Sequence, residues 1–472
     1  MRYINQKLEE FEKYLYNKKV AIIDIEINKL PLLDYFSNKG AKVTVFDKRT
    51  IDEIDKPIID KITSRCINFS FGEHSLINLV GFDIIFRSPS CRPDTYELNA
   101  ESLRGAIVTS ELEMFLELCP GKLITVIGND GKTTTANLIY NILKENNSNC
   151  YLGGTTDNIL FTDLYKITSD SMVVLELNNT ELINVDISPE VAVITNVTQD
   201  NYPNIYKSYE EYILSIKNIF KNQKETGLLV LNFDNSITTY FASESSGKVV
   251  FFSAENKLDN GVIYDKGIIK SCIDGVRRHI ISIDEAISLY GKHNYGNICA
   301  AVAATSSLVD PSIQARAITK FKDVEHRLEF VKRINDIKWY NDATAINPIR
   351  TIAGLNSFKE DIVLIMGGND LTIDYTQLSK LICDKVTQLI LIGKNAEIIE
   401  ELVRKELEIN KKKLYIHKCT TLEECVNKAY EVAKENEIVL FSPSNSNIEL
   451  NNDYINQGEK FKELINSIVP FI

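Results

Sequence analysis

A short glycine-containing loop between an apolar segment and a helical pattern is the feature that most constrains the fold of this chain. The apolar segment 123–127 leads directly into the loop GNDGKTT at 128–134, and a helical pattern follows over 136–145. Glycines let backbone N–H groups approach phosphate oxygens, a lysine reaches the outer oxygens, and a threonine hydroxyl holds Mg²⁺. The strict motif needs glycine at position 126, where this chain has valine. The order of strand, loop and helix predicts a variant phosphate-binding loop, with a chance glycine turn as the alternative.

Short β-branched segments alternate with helical patterns along most of the chain. This alternation is typical of parallel sheets with crossover helices, so we predict an α/β fold. Three blocks can be separated, and we expect three domains over residues 1–108, 109–311 and 312–472, which also suits a chain of 472 residues. The expected strands lie at 19–24, 42–47, 83–86 and 106–109 in the first block, at 123–127, 172–177, 191–196 and 227–232 in the second, and at 337–340, 362–366, 388–392 and 438–441 in the third.

The charge balance and the cysteine pattern exclude several classes of function. The chain carries 53 basic and 65 acidic side chains, a formal net charge of −12. Binding to nucleic acid needs a basic surface, so we expect no nucleic-acid partner. The nine cysteines include no CxxC pair, which predicts reduced thiols in a cytoplasm instead of a zinc site or a disulfide framework. The polar start is not a secretory signal, and no apolar run approaches the ~18 residues of a membrane helix. We therefore expect a cytoplasmic protein that does not insert into a membrane.

A series of motifs that follow the loop in the sequence resembles the Mur ligases of peptidoglycan synthesis, and the resemblance covers essentially the whole chain. An unrelated ATPase or kinase would explain the phosphate loop but not the series. The motifs are VLEL at 174–177, VITNVTQD at 193–200, YILSIKNIFKNQ at 212–223, GKHNYGN at 291–297, HRLE at 326–329, YNDATAINP at 340–348, GG at 367–368 and FSP at 441–443.

This resemblance implies a fold and an activity. The fold is a Rossmann-like N-terminal domain for the UDP-linked substrate, a central P-loop ATPase domain, and a second Rossmann-like domain for the amino acid. The activity is ATP-dependent formation of an amide bond, in which ATP phosphorylates the carboxylate of a UDP-linked muramyl substrate and an amino acid attacks the acyl phosphate. The similarity is closest to members that add D-glutamate to UDP-N-acetylmuramoyl-L-alanine. A monomer is expected.

The resemblance also assigns roles to individual residues. Mg²⁺ is expected on Thr133 and Glu176, and at a second site on Lys217 if that lysine is carbamylated. Plain alternatives are a solvated strand end for Glu176 and an unmodified surface lysine for Lys217. His293 lies inside a motif and has either a catalytic or a structural role. The expected catalytic residues are Lys132, Lys217, Arg327 and His293, and the expected ATP-binding residues are Gly128, Asn129, Asp130, Gly131, Lys132, Thr133, Thr134, Asn297, Arg327 and Asp342.

The departures from the family pattern cluster on the substrate side. The first βα turn, 24–29, has no glycine and carries Asp24 and Glu26, whose charge repels a diphosphate. A loop that contacts the muramyl substrate in the family is 153–157 here, and a histidine near the second metal site is replaced by Asn201. An amide oxygen is still able to coordinate Mg²⁺.

The amino-acid end differs as well. Thr344 and Leu371 stand where the family has lysines for D-glutamate, and Asn447 replaces a serine, whereas the aromatic residue Tyr454 persists. Replacing an ammonium by leucine removes a charge-assisted contact of roughly 1.5–3 kcal/mol. Thr344, Asn347 and Asn445 can hydrogen-bond a substrate but cannot neutralise its charge. Three hypotheses follow: a D-glutamate-adding ligase, a divergent paralogue with a different acid and amine, and a non-catalytic nucleotide-binding protein.

Overall fold

A computed structural model of the chain describes two compact units. The first comprises residues 1–285 with 295–319, and the second comprises 286–294 with 320–472. No helix among the described residues is long and apolar enough to cross a membrane. The described residues are 5–25, 29–54, 56–154, 161–199, 205–286, 292–321, 326–358, 360–371, 373–410, 413–445 and 454–468.

The first sheet of the first unit is entirely parallel. Its five strands have the order β3-β2-β1-β4-β5, with helices between them, which is the doubly wound arrangement that a Rossmann-like domain requires. The strands are β1 (Lys19–Ile23), β2 (Lys42–Asp47), β3 (Asn68–Phe71), β4 (Ile84–Arg87) and β5 (Ile107–Ser110), and the helices are α1 (Gln6–Leu15), α2 (Leu30–Asn38), α3 (Lys56–Ser64), α4 (Tyr96–Leu103) and α5 (Glu111–Leu118).

The second sheet of this unit has nine strands in the order β14-β13-β12-β11-β10-β9-β6-β8-β7, parallel from β7 to β12 and antiparallel beyond. Strand β6 therefore lies between β8 and β9. The strands are β6 (Lys122–Ile127), β7 (Cys150–Gly154), β8 (Met172–Glu176), β9 (Val191–Ile194), β10 (Leu228–Asn232), β11 (Lys248–Ser253), β12 (Gly261–Asp265), β13 (Ile268–Ile273) and β14 (Val276–Ser282), and the helices are α6 (Lys132–Glu145), α7 (Tyr209–Lys217), α8 (Ser236–Phe241), α9 (Lys292–Thr305) and α10 (Pro311–Lys320).

The third sheet lies in the second unit and has the order β15-β16-β20-β17-β18-β19, with only the edge strand β15 antiparallel. The last strand in sequence, β20, is thus inserted between β16 and β17. The strands are β15 (Glu329–Ile334), β16 (Ile337–Asn341), β17 (Ile362–Gly367), β18 (Val386–Ile392), β19 (Tyr415–Cys419) and β20 (Ile438–Phe441), and the helices are α11 (Pro348–Asn356), α12 (Thr376–Lys385), α13 (Ala396–Asn410), α14 (Leu422–Val432) and α15 (Tyr454–Ser467).

Apolar cores on both faces of the third sheet explain why its central strands β17 and β20 are buried and apolar throughout. One core packs α11, α12 and α13 against the sheet, through residues such as Leu355, Leu378 and Ile399. The other packs α14 and α15 against the opposite face, through Val426 and Phe461. Strands that are covered on both faces need apolar residues at successive positions. The nine cysteines are all free thiols.

The α/β class with parallel-rich sheets is confirmed. The domain boundaries remain predictions. The boundary expected between 108 and 109 falls inside β5, and the one expected between 311 and 312 falls at the start of α10.

Candidate active site

The predicted phosphate loop lies at the carboxyl end of β6 and ends at the start of α6. Gly131 is the N-cap of α6, with a φ of 78°, and Gly128 has a φ of 139°. A Cβ atom at Gly128 would lie 2.1 Å from Thr195 Oγ1, and one at Gly131 would lie 2.3 Å from Asn297 Oδ1. Both the backbone conformation and the close neighbours therefore require glycine at these two positions.

The side chain of Asn196 holds the loop in place. Its Oδ1 accepts hydrogen bonds from the backbone N–H groups of Asn129 at 3.0 Å and Asp130 at 2.9 Å, and its Nδ2 donates to the Asp130 carbonyl at 3.2 Å. The neighbouring Thr195 Oγ1 donates to the same carbonyl at 2.6 Å. Sequence reasoning noted these residues only as part of a motif and assigned them no role in the site. Strand β9 ends next to β6, and this adjacency brings them to the loop.

The Lys132 ammonium lies across the loop. Its Nζ donates to the carbonyl oxygens of Gly128 at 2.9 Å and Asn129 at 3.2 Å. Lys132 is also the first residue of α6, where backbone N–H groups and the positive end of the helix dipole favour an anion. The loop backbone, the helix start and the ammonium together form a site suited to phosphate groups. Asp130, Thr133 and Thr134 belong to the same loop and first helical turn.

Thr133 and Glu176 form an oxygen pair beside this loop. The Thr133 hydroxyl donates to Glu176 Oε1 at 2.8 Å, and Glu176 is buried, with 3% of its surface exposed. The sheet register explains the contact, because Glu176 ends β8 directly opposite Val126 of β6. Hydroxyl and carboxylate oxygens are the ligands that Mg²⁺ prefers, and Mg²⁺ in nucleotide sites uses few protein ligands besides phosphate oxygens and water. The pair therefore fits Mg²⁺, and the solvated-strand-end alternative for Glu176 is wrong.

A series of hydrogen-bonded polar groups contacts the phosphate loop at Asn129. The Tyr212 hydroxyl of α7 donates to Asn129 Oδ1 at 3.2 Å and accepts from Asn179 Nδ2 at 2.7 Å. The N–H of Thr198 also donates to Asn129 Oδ1, at 3.0 Å. Burial raises the pKa of Tyr212 to about 12, so the hydroxyl keeps its proton. Neither Tyr212 nor Asn179 was predicted as a site residue.

Lys217 is not brought together with Thr133 and Glu176. Its Nζ forms an ion pair with Glu244 Oε1 at 2.6 Å and lies 5.9 Å and 5.7 Å from the ring centroids of Tyr240 and Phe241. Ile216 lies one helical turn after Tyr212, on the face of α7 that contacts the loop, and it is fully buried. Lys217 follows it by one position and points elsewhere. The arrangement therefore gives no support to the expected metal-binding role of Lys217.

Asn297 closes the loop on the other side. It lies on α9, and its Oδ1 accepts from Thr135 Oγ1 at 3.4 Å while sitting next to the α carbon of Gly131. The structure thus places Asn297 beside the phosphate loop, and its expected contact with ATP remains a prediction. His293 begins the same helix, but its side chain lies outside the described residues, as does Asn201.

Asp342 lies at the carboxyl end of β16 in the second unit. Its Oδ2 accepts from Ser442 Oγ at 2.8 Å, and its Oδ1 accepts from the N–H of Leu328 at 3.2 Å. Burial raises the pKa of this carboxyl to about 7, although these hydrogen bonds and the positive charges of Arg327 and Arg350 oppose the shift. Arg327 is thus near enough to Asp342 to act on its charge, and both were expected to contact ATP.

The residues expected to contact the amino acid lie mostly on the loop after β16 and on nearby loops. The Thr344 carbonyl accepts from Arg350 Nη1 at 2.9 Å, and Asn347 is the N-cap of α11, with its Oδ1 accepting from the Arg350 N–H at 3.0 Å. Leu371 and Tyr454 are 55% and 39% exposed. Asn447 lies outside the described residues.

A fully buried polar network follows β17 and β20, and only Asn445 of it had been considered for substrate binding. Asn395 Oδ1 accepts from the Gly368 N–H at 2.7 Å, and Asn395 Nδ2 donates to the Tyr375 hydroxyl at 2.6 Å. Asn445 Nδ2 donates to the Asp370 carbonyl at 3.3 Å. The network joins the ends of two strands that are far apart in sequence, which is why sequence spacing gave no sign of it.

Two further carboxyl groups of the first unit, Asp24 in the first turn and Glu181, have local hydrogen-bond donors. Asp24, at a φ of 56°, accepts from Ser88 Oγ at 2.6 Å and from Ser90 Oγ at 3.3 Å. Burial also raises the pKa of Glu181, against the opposing effects of the Asn178 N–H and Lys29, which favours its neutral form. Glu26 and residues 155–157 lie outside the described residues.

Two family models match the chain. The Mur ligase middle domain matches residues 126–305, and the Mur ligase glutamate ligase domain matches residues 326–445. The first match contains the whole phosphate loop with Glu176, and the second contains Asp342 with the polar network.

Curated proteins match over the full length. The UDP-N-acetylmuramoylalanine–D-glutamate ligase of Acetivibrio thermocellus is 43% identical over 98% of this chain and 100% of its own length. The enzyme of the same name from Ruminiclostridium cellulolyticum is 40% identical over the same shares. The crystal structure of the UDP-N-acetylmuramate–alanine ligase MurC from Thermotoga maritima shares the fold, with a TM-score of 0.58, 20% identity, and coverage of 96% of this chain and 100% of that chain. The chain therefore belongs to the Mur ligase family, and the resemblance inferred from its motifs is confirmed.

Proposed function

We propose that this chain is an ATP-dependent ligase that joins D-glutamate to UDP-N-acetylmuramoyl-L-alanine through an acyl phosphate. The observation that carries the proposal is the contact between Thr133 and Glu176 at 2.8 Å. It lies beside a loop that requires glycine at positions 128 and 131. The full-length relatives at 43% and 40% identity, both named as D-glutamate ligases, support the choice of substrates.

The residues of the first unit would bind and orient the nucleotide. ATP would supply the phosphoryl group that activates the substrate carboxylate, and Thr133 and Glu176 would hold a Mg²⁺ ion that compensates charge on the phosphates. Lys132 would exchange its two carbonyl contacts for phosphate oxygens and stabilise the negative charge that gathers there. Asn196 keeps the loop N–H groups fixed, so the loop does not have to reorganise when phosphate binds.

The proposal includes one magnesium ion, held by Thr133 and Glu176. A second ion and a carbamylated Lys217 remain untested predictions, and the ion pair of Lys217 with Glu244 argues against them. His293 remains an untested catalytic candidate. A cytoplasmic location and a monomeric state also remain predictions.

The test is product formation by the purified full chain. Phosphate release is followed with ATP, Mg²⁺, UDP-N-acetylmuramoyl-L-alanine and D-glutamate, and the product is identified by mass spectrometry. We expect the wild type to form product and Lys132→Ala to lose at least about 100-fold in rate, as is usual when a preorganised charge is removed. Lys144→Ala is the matched control, because Lys144 is an exposed lysine of the same helix whose Nζ lies over the Tyr140 ring, 5.6 Å from its centroid. Nucleotide binding without phosphate release, for any substrate pair, would point to the non-catalytic hypothesis.

A divergent paralogue with a different acid and amine is the second candidate. The observation that favours it is the absence of a lysine at Thr344 and Leu371, since D-glutamate carries an extra carboxylate. Phosphate release across a panel of amino acids separates the two. A preference for an uncharged amino acid over D-glutamate would select the paralogue.

A further inference from the structure

We propose that the guanidinium of Arg350 binds the side-chain carboxylate of the incoming D-glutamate and determines specificity for it. This inference rests on the proposed function. It also answers the question left by Thr344 and Leu371, which provide no positive charge.

The topology of the third sheet indicates where a ligand binds in the second unit. Strand β20 lies between β16 and β17, and the helices that follow β16 and β17 pack on the opposite face from α14 and α15. Chain connections therefore diverge to opposite faces at the carboxyl ends of these three strands. In open α/β sheets, ligands bind in the crevice formed at such a switch point.

The side chains at this crevice are polar but mostly uncharged. Ser442 and Asn445 follow β20, the Gly368 loop follows β17, and Thr344 follows β16; the serine and asparagine are fully buried. The Ser442 hydroxyl donates to Asp342 Oδ2, and the Asn445 amide donates to the Asp370 carbonyl. Such groups orient a ligand, but they do not compensate the desolvation of a carboxylate.

Arg350 supplies a cation at the same edge. It lies in the first turn of α11, the helix that follows β16, and helix α11 begins at this edge because the strand ends there. Its N–H is fixed by Asn347 Oδ1 at 3.0 Å, and its Nη1 is fixed by the Thr344 carbonyl at 2.9 Å. The side chain is exposed, so a ligand can reach it.

The guanidinium of Arg350 has the shape that binds a carboxylate. A guanidinium presents five N–H donors in a planar fork that matches the two oxygens of a carboxylate. The contact with Thr344 holds the plane of this fork at the crevice. Asp342, a buried carboxyl that Arg350 influences, accepts hydrogen bonds from Ser442 and from the N–H of Leu328.

The experiment compares steady-state kinetics of the full-length wild type, Arg350→Ala and Arg350→Lys with D-glutamate and with D-glutamine, whose side chain is uncharged. We expect Arg350→Ala to raise KM for D-glutamate by about 10- to 100-fold, to leave KM for ATP unchanged, and to leave D-glutamine turnover within about 3-fold. Arg350→Lys should recover part of the loss. Arg333→Ala is the control, since Arg333 is an exposed arginine of the same unit paired with Asp336.

The possible outcomes separate this inference from the proposed function. An unchanged KM for D-glutamate in an active Arg350→Ala enzyme overturns the inference and leaves the ligase activity standing. Equal losses for D-glutamate and D-glutamine also overturn it, because they place the contact elsewhere on the amino acid. A simultaneous loss of affinity for ATP indicates a structural role for Arg350 and also overturns the inference. If the wild type forms no product with D-glutamate, the proposed function itself fails.

Discussion

The buried carboxyl of Asp342 makes the stability of the second unit depend on pH. Burial raises its pKa from 3.8 to about 7 in the folded chain, whereas the unfolded chain keeps the ordinary value. The folded state therefore binds this proton more tightly than the unfolded state. The stabilisation is complete below about pH 4, is lost as the pH rises toward 7, and does not change further above about pH 8.

The size of this change in stability follows from the pH range between the unfolded and folded pKa values of Asp342. Each pH unit between the two pKa values changes the free energy of unfolding by about 1.4 kcal/mol. Raising the pH from 5 to 8 should thus lower the free energy of unfolding by about 3 kcal/mol through this one group. Asp342→Asn removes the charge at nearly constant shape. The new amide keeps an oxygen for the Leu328 N–H and donates to Ser442 Oγ, whose hydroxyl can turn to Thr351 Oγ1 at 3.0 Å.

The chain provides its own probe for this measurement. Its single tryptophan, Trp339, is fully buried in β16, three residues before Asp342. Urea unfolding followed by tryptophan fluorescence at pH 5, 6, 7 and 8 therefore reports on the second unit. We expect the stability of Asp342→Asn relative to wild type to increase by about 3 kcal/mol from pH 5 to pH 8. Asp336→Asn is the control, because that carboxylate is 61% exposed and is solvated in both states. A difference between wild type and Asp342→Asn that stays constant with pH would refute the reasoning.

Two further predictions concern the first unit. Gly131→Ala should weaken ATP binding by at least about 10-fold, because the new Cβ lies 2.3 Å from Asn297 Oδ1 at a φ of 78°; isothermal titration with ATP measures this, and Gly81→Ala, with a φ of 74° and nothing within 4 Å, should bind ATP like wild type. Lys217→Ala should keep at least about a third of the wild-type rate of phosphate release, because a partly exposed ion pair with Glu244 contributes little; a loss beyond about 100-fold would restore a metal-binding role for this lysine.

The fold was predictable because its signals are local. Apolar segments such as 123–127 and 438–441 are short, β-branched and separated by helical patterns, which indicates strands covered on both faces. The phosphate loop was predictable for the same reason, since strand, glycine turn and helix follow one another without interruption. The domain limits were harder, because few local features mark them, and β5 continues through the expected boundary at 108.

The parts of the site that sequence reasoning missed depend on strand order. Asn196 reaches the loop because β9 pairs with β6, and Glu176 reaches Thr133 because β8 pairs with β6 on the other side. The family motif indicated Glu176, but it gave no role to Asn196. In the second unit, Asn395 and Asn445 both donate to the Tyr375 hydroxyl, because β17 lies between β18 and β20, the strands that precede these two residues. Periodicity along a chain does not specify which strands become neighbours.

The position of Lys217 on α7 shows why helical phase matters for a functional assignment. Successive residues of an α-helix point about 100° apart, so the adjacent residues Ile216 and Lys217 face different parts of the molecule. Tyr212 defines the face of α7 that contacts the phosphate loop, through Asn129, and the next position on that face is Ile216. An isoleucine has no amine to modify and no atom to offer a metal. The metal-binding role of Lys217 therefore stays a prediction that the kinetics of Lys217→Ala decide, since the ammonium of the unmodified lysine is paired with Glu244 in the structure.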